Sequence, residues 1–138
     1  MTKPENAFIA SVHAHLPPPS QLYRMKNHSI YTAGVADSWY SGKGAGSSDL
    51  WIEWKFVNVP ALDNTLVNLG LSALQTDWLH ERYHEGRNVW VVAGSKDGGV
   101  IFRELEWEEH VTAGEFRRCL LKRKDIAAQI ARLVQGSL

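Results

Sequence analysis

The chain has 138 residues, of which 44% are hydrophobic and 22% charged, enough for one compact domain with a sizeable core. Fifteen Lys and Arg residues balance fifteen Asp and Glu residues, which excludes a uniformly basic, histone-like binder and an acidic disordered chain. The single Cys excludes an internal disulfide and a thiolate metal cluster. Without a membrane-length apolar run or a signal-peptide stretch, we expect a soluble, cytoplasmic protein with no membrane partner.

Hydrophobic periodicity predicts helices and strands along the whole chain. Pro17 ends the first helix, and Gly86 supplies a helix C-terminal signal. Cys119 is expected to be a small core residue. The predicted elements, in order, are a helix (4–16), a short strand (21–26), two strands forming a hairpin (37–42 and 50–57), a loop (58–70), a helix (71–85), a strand (88–94), a turn (96–99), a strand (100–103), one or two helical turns (104–110) and a helical region (115–134) broken near Lys124.

A literal H-E-x-x-H motif runs from His80 to His84 within the predicted helix 71–85. Histidines at i and i+4 share a helix face and could bind Zn²⁺, with Glu81 as the general base. Taken alone, the motif indicates a zinc metallopeptidase.

The rest of that helix argues against a zinc site. Leu71, Leu74 and Trp78 lie on the opposite side, so the histidines should face water. Arg82 places a charge where such motifs normally carry an uncharged residue, and only Glu104 suggests itself as a third ligand. We therefore keep the zinc peptidase as an alternative interpretation.

A second charged group lies in the apolar strand 50–57. Glu53 and Lys55 are two residues apart and so project from the same face of the strand. Charges on an apolar strand require partners, because an unpaired buried charge is costly. If the two hairpin strands pair, Asp37 and Glu53 converge at one end.

Two carboxylates and a lysine suit Mg²⁺- or Mn²⁺-dependent cleavage of a phosphodiester. Asp37, Glu53 and the main-chain carbonyl of Trp54 would bind the metal. Lys55 would orient the attacking water or stabilise the charge that develops on the phosphate. A salt-bridge network on a strand is the alternative explanation of the same residues.

The spacing resembles a known signature. Gly34-Val35-Ala36-Asp37, followed after fifteen intervening residues by Glu53-Trp54-Lys55, resembles the P-D…(D/E)-x-K motif of restriction-endonuclease-like nucleases, with Ala36 in place of the usual Pro. The helix 71–85 and the strand 88–94 continue the likeness. The resemblance covers about residues 5–103 and is nearest to the VRR-NUC group and to phage resolvases of Holliday junctions.

The resemblance implies an α/β fold, with a mixed central sheet flanked by helices in a single domain, 1–138. Residues 104–138 would form a helical tail outside the matched core. It further implies that Gln75 lies beside the active site and that Glu5, on the first helix, reaches the metal. The expected location is the cytoplasm of a bacterium or of a phage-infected cell.

Basic residues near this site and in the tail are candidates for binding DNA phosphates, with solvated surface charge as the alternative. Trp39 and Tyr40 could stack on bases or fill the core. The basic candidates are Arg24, Lys26, Lys43, Arg117, Arg118 and Lys122.

The sequence therefore predicts a metal-dependent DNA endonuclease, with a structure-specific substrate such as a junction or flap. Paired cuts on a junction would require a homodimer. The alternatives are the zinc metallopeptidase and a non-catalytic nucleic-acid-binding module with the same fold.

Overall fold

A computed structural model describes residues 2–27 and 33–136. Its helices and strands follow the predicted order, with ends shifted by a few residues. The elements are α1 (Lys3–His13), β1 (Leu22–Lys26), β2 (Ser38–Gly42), β3 (Asp49–Phe56), α2 (Ala73–His84), β4 (Val89–Ser95), β5 (Gly98–Phe102), a 3₁₀ turn (Glu106–Glu108), α3 (Ala113–Arg118) and α4 (Arg123–Gln135).

The five strands form one sheet in the order β1-β2-β3-β4-β5. Neighbouring strands are antiparallel except β3 and β4, which are parallel. Short turns suffice for the antiparallel pairs, whereas the parallel pair needs a crossover, which α2 provides. The sheet is therefore mixed, as predicted.

Helices cover both faces of the sheet. Apolar residues of α1 and α4 pack on one face with alternate residues of β2 and β3, including Tyr40, Ile52 and Trp54. Leu79 of α2 and Phe116 of α3 pack on the other face with β4 and β5. The prediction of one domain with a mixed sheet flanked by helices is confirmed. Within the described residues, no helix combines the length and apolar character that a membrane crossing demands.

The C-terminal helical region contains the predicted break near Lys124, a few residues earlier in the chain. Helix α3 ends at Arg118, and α4 begins at Arg123, so the break precedes Lys124. Leu121 lies in the gap and pairs with Gly99 of β5 through two main-chain hydrogen bonds of 2.8 and 3.0 Å. Cys119 is exposed rather than part of the core, because the chain leaves the helix there.

The tail is built into the domain. Ile126, Ala127, Ile130 and Val134 of α4 are buried in the same cluster as α1 and the central strands. The main-chain carbonyl of Val134 also accepts a hydrogen bond from the amide of Ser48, in the β2–β3 hairpin, at 2.8 Å. Residues 123–135 thus complete the core on one face of the sheet.

A buried polar chain joins α1 to the sheet. The Tyr40 hydroxyl lies 2.7 Å from His13 Nε2 and accepts a hydrogen bond from Trp54 Nε1 at 3.2 Å. Burial lowers the pKa of His13 to about 4, and the nearby charges of Arg24 and Lys26 act in the same direction. His13 is therefore neutral in the folded protein at neutral pH, and its Nε2 shares a hydrogen bond with the Tyr40 hydroxyl.

The neutral His13 should make the domain sensitive to acid. Its pKa is about 4 in the fold and 6.5 as the ordinary value, so the unfolded chain binds the extra proton first. Stability is therefore present above pH 6.5 and is lost as the pH falls toward about 4. Thermal unfolding measured across this range should show a shallower pH slope for His13→Gln than for the wild type.

Exposed His15 provides the matched control for this measurement. His15→Gln should retain the wild-type slope. An unchanged slope in His13→Gln would contradict the role assigned to His13.

Candidate active site

The two faces of strand β3 differ, because one carries buried apolar side chains and the other carries Glu53. Ile52 and Trp54 are buried against α1 and α4, whereas the intervening Glu53 projects to the face covered by α2 and is only 1% exposed. Ser38 pairs with Ile52, so the preceding residue of β2, Asp37, lies beside Glu53. The amide of Trp54 donates to Asp37 Oδ2 at 3.4 Å, which fixes the aspartate at this point of the sheet.

The segment before Asp37 is held against α2 by a close backbone approach. Gly34 has a φ of +86°, and a Cβ there would lie 2.7 Å from the main-chain oxygen of Leu74. A side chain would therefore be strained twice, by the left-handed conformation and by the contact. Gly34 thus lets the segment that carries Asp37 meet the N-terminus of α2.

Gln75 connects the two charged residues of β3. Its Nε2 donates to Glu53 Oε2 at 3.2 Å, and its Oε1 accepts from Lys55 Nζ at 3.1 Å. Lys55 Nζ lies 3.8 Å from Glu53 Oε2. The three side chains form one network in which the amide separates the carboxyl from the ammonium and holds both.

A capping box fixes the position of Gln75. Ser72 Oγ accepts from the Gln75 amide at 3.1 Å, and Gln75 Oε1 accepts from the Ser72 amide at 2.9 Å. Gln75 is thus held at the first turn of α2 by the same oxygen that binds Lys55. The Ser-x-x-Gln spacing of Ser72 and Gln75 is the sequence signal for this start of α2.

Burial raises the pKa of Glu53 to about 9. A hydrogen bond with Asp37 and the negative charge of Asp37 raise the same pKa, while the ammonium of Lys55 lowers it. Burial also raises the pKa of Glu5, followed by the charge of Asp37, and Lys55 again opposes the shift. Glu5, in the first turn of α1, is therefore within electrostatic reach of the other residues.

The donor set fits a hard divalent cation. Glu53 Oε1 is buried and has no hydrogen-bond partner among the described residues. The N–H and C=O of a strand residue point toward the same neighbour, so the Trp54 carbonyl faces the side of Asp37. The donors are two carboxylates and a carbonyl, which Mg²⁺ accepts. Within 2–27 and 33–136, no group of three or more His, Cys, Asp or Glu side chains is placed to hold a metal.

The predicted DNA-contacting residues occupy different environments. The guanidinium of Arg24 donates to the carbonyl of Pro17, and that of Arg117 donates to Asp63 Oδ1 at 2.8 Å and to a loop carbonyl. Lys26 Nζ donates to Asn6 Oδ1 at 3.4 Å, beside the start of α1.

Three further predicted contacts lie at the surface. Lys43 Nζ lies 4.4 Å above the ring of Tyr23. Arg118 and Lys122 are exposed. Lys26 thus lies near the end of the sheet that carries Asp37, Lys43 lies at the opposite end of β2, and Arg24 and Arg117 hold loops in place.

The H-E-x-x-H residues form a separate surface group. His80 Nδ1 pairs with Glu108 Oε2 at 2.8 Å, and the rings of His80 and His84 are 4.5 Å apart. Leu74 is 60% exposed rather than buried, because only Leu79 of α2 packs fully into the core. The geometry of this group favours a hydrogen bond between His80 and Glu108 at the surface.

The fold of the chain is similar to that of a solved structure. The chain matches the 1.6 Å structure of Hjc, a Holliday junction resolvase from the archaeal hyperthermophile Archaeoglobus fulgidus. The match covers 94% of this chain and 99% of the Hjc chain, with a TM-score of 0.53 and 14% sequence identity. The chain thus has the restriction-endonuclease-like fold. No family model matches it, and no curated protein is significantly similar in sequence.

The raised pKa of Glu53 predicts a stability that falls with pH when no metal is present. The ordinary pKa is 4.5 and the folded value about 9, so the unfolded chain loses the proton first. The stabilisation is therefore complete below pH 4.5 and is lost as the pH rises toward about 9. In EDTA, Glu53→Gln should remove this slope and unfold at a higher temperature than the wild type at about pH 8.

Glu81→Gln, at an exposed position of α2, is the control and should keep the wild-type slope. In EDTA, the unfolding temperature of the wild type should fall relative to that of Glu53→Gln as the pH rises over this range. No relative fall would contradict the pKa assigned to Glu53.

Proposed function

We propose that this protein is a metal-dependent DNA endonuclease of the PD-(D/E)xK type. The observation that carries the proposal is the network of Asp37, Glu53, Gln75 and Lys55, which joins two carboxyls and an ammonium at one point of the sheet. The fold supports the proposal, because Hjc, a nuclease that resolves Holliday junctions, shares it.

Asp37 Oδ and Glu53 Oε atoms, with the Trp54 carbonyl, would hold Mg²⁺ or Mn²⁺, and Glu5 would support them from α1. A bound divalent ion supplies Lewis-acid polarisation of the phosphate and acidifies a coordinated water. Glu53 must lose the proton that burial stabilises before it can bind a cation, so binding should strengthen as the pH rises.

Lys55 supplies the positive charge for the reaction. Its Nζ donates to Gln75 Oε1 while the side chain is still partly exposed, so the remaining N–H groups can reach a phosphate or an attacking water. Gln75 acts as a positioning residue, because it sets Lys55 relative to Glu53. A preorganised ammonium stabilises negative charge that develops in the transition state.

Branched DNA, such as a junction or a flap, is the substrate class that we propose within this activity. Two cuts on opposite strands of a junction need two sites, so junction cleavage would require a homodimer. The VRR-NUC-like or phage-resolvase-like subgroup, and a cytoplasmic location, belong to the same proposal.

Substitution of the site should abolish cleavage. Asp37→Asn and Lys55→Ala should each lower the rate of DNA cleavage by about 100-fold or more, since each removes a charge that the reaction requires. The assay is cleavage of linear, flap, four-way branched and single-stranded DNA in the presence of Mg²⁺ or Mn²⁺.

His80→Ala is the matched control and should cleave at the wild-type rate, because the His80–Glu108 pair is outside the network. Loss of DNA cleavage in His80→Ala alone, with bound zinc, would contradict the site proposed at Asp37, Glu53 and Lys55. A wild-type protein that retards DNA in a gel but cuts none of these substrates would be a binding module.

The role of Gln75 can be tested without emptying its site. Gln75→Glu keeps an acceptor for the Ser72 amide and for Lys55 but removes the donor to Glu53. Cleavage should fall about 10- to 100-fold, the usual effect of losing a residue that orients a metal ligand. Activity at the wild-type level in Gln75→Glu, at saturating Mg²⁺, would exclude this positioning role.

A further inference from the structure

The sheet face that carries Glu53 is uncovered over β1 and β2. Tyr23 and Met25 of β1 are 47% and 52% exposed on this face. Trp39 and Ser41 of β2 are half-buried there, whereas Tyr40 on the opposite face is fully buried. The structure thus separates Trp39 and Tyr40, which the sequence did not: Tyr40 belongs to the core, and Trp39 lies at an open surface.

The strand register places these residues in a row next to the active site. Met25 pairs with Trp39, and Trp39 pairs with Trp51 of β3. We call Trp39 and Trp51, together with Met25 beside Trp39, the aromatic row. Asp37, two residues before Trp39, and Glu53, two residues after Trp51, are next on the same face, about 7 Å from the row.

Polar contacts hold the aromatic row in a defined orientation. Trp39 Nε1 donates to Asp49 Oδ2 at 3.3 Å, and Ser41 Oγ donates to Asp49 Oδ1 at 2.6 Å. Trp51 packs edge-on against Trp78 of α2, with ring centroids 5.6 Å apart and planes at 76°. Asp49 thus holds the indole of Trp39 at its N–H edge, so the face of the ring remains available to stack on a base.

We propose that the aromatic row stacks unpaired bases of a DNA strand that enters the site. This inference rests on the proposed function, and it names single-stranded or splayed DNA, as in a flap, as the preferred substrate. Every base offers a π-face, so stacking on Trp39 would bind a strand without sequence preference.

Charge favours nucleic acid over a protein partner on this surface. Lys43 lies above the ring of Tyr23 at one end of β1, on the face that carries the aromatic row, whereas Lys26 projects to the opposite face and donates to Asn6 of α1. Protein interfaces instead deplete charge around their apolar centre. A second copy of the chain on the row would also lie over Asp37 in the neighbouring row and obstruct the site.

Binding can be measured separately from cleavage. The probe is a short fluorescein-labelled oligothymidylate, added to the full chain in EDTA, with fluorescence anisotropy and quenching of tryptophan emission as readouts. Trp39→Ala should weaken binding about tenfold. Trp39→Phe, which keeps a ring but loses the bond to Asp49, should bind within about threefold of the wild type.

Leu62→Ala is the control, since Leu62 is 75% exposed in a loop outside the row. It should bind oligothymidylate as the wild type does. Equal affinity in Trp39→Ala and the wild type would overturn the proposal. So would sedimentation that shows a dimer dissociating in Trp39→Ala with binding unchanged, because the row would then belong to an interface between copies.

A cleavage assay tests the aromatic row independently of the binding assay. With Mg²⁺, Trp39→Ala should lose more activity on a flap than on a fully paired duplex, and an equal loss on both would count against the aromatic row. If no DNA is cut by the wild type but Trp39→Ala still loses oligothymidylate binding, the row is upheld and the proposed endonuclease fails.

Discussion

The burial of the Glu53 carboxyl is the constraint on which the site depends. A carboxylate is costly to remove from water unless hydrogen bonds, an opposite charge, a proton or a cation compensate it. Gln75 supplies a hydrogen bond and Lys55 an ammonium, yet one carboxyl oxygen has no partner among the described residues, and the pKa is raised to about 9. In the folded protein at neutral pH this carboxyl therefore keeps a proton, which a cation bound there would have to replace.

The two-sided character of β3 makes this burial achievable. Trp54 and Ile52 anchor the strand in the core beneath α1 and α4, so the intervening residues must project toward α2. At the capped first turn of α2, the residue that faces them is Gln75 and not an apolar residue. Gly34 allows the segment before Asp37 to pack closely against the same end of the helix. The site is thus a consequence of how one helix terminus meets one strand.

Different parts of the site were predictable to different degrees. Asp37, Glu53 and Lys55 follow from strand periodicity and a hairpin, because the pleat fixes which side chains share a face. Gln75 and Glu5 required the family resemblance, since nothing in local spacing relates them to β3. The exposed Cys119 and Leu74 were placed wrongly, because local pattern does not show where a helix ends or which side a partner covers.

The sequence by itself determined the order of helices and strands and the charged face of β3, since these depend on short-range periodicity, while the mixed sheet was expected from the family resemblance. Only the tertiary structure decided what lies across from that face. The hydrogen bonds from Gln75 to Glu53 and Lys55, the pairing of His80 with Glu108, and the row formed by Met25, Trp39 and Trp51 all join residues distant in the chain. Such contacts depend on strand register and helix placement, which arise when the whole core packs.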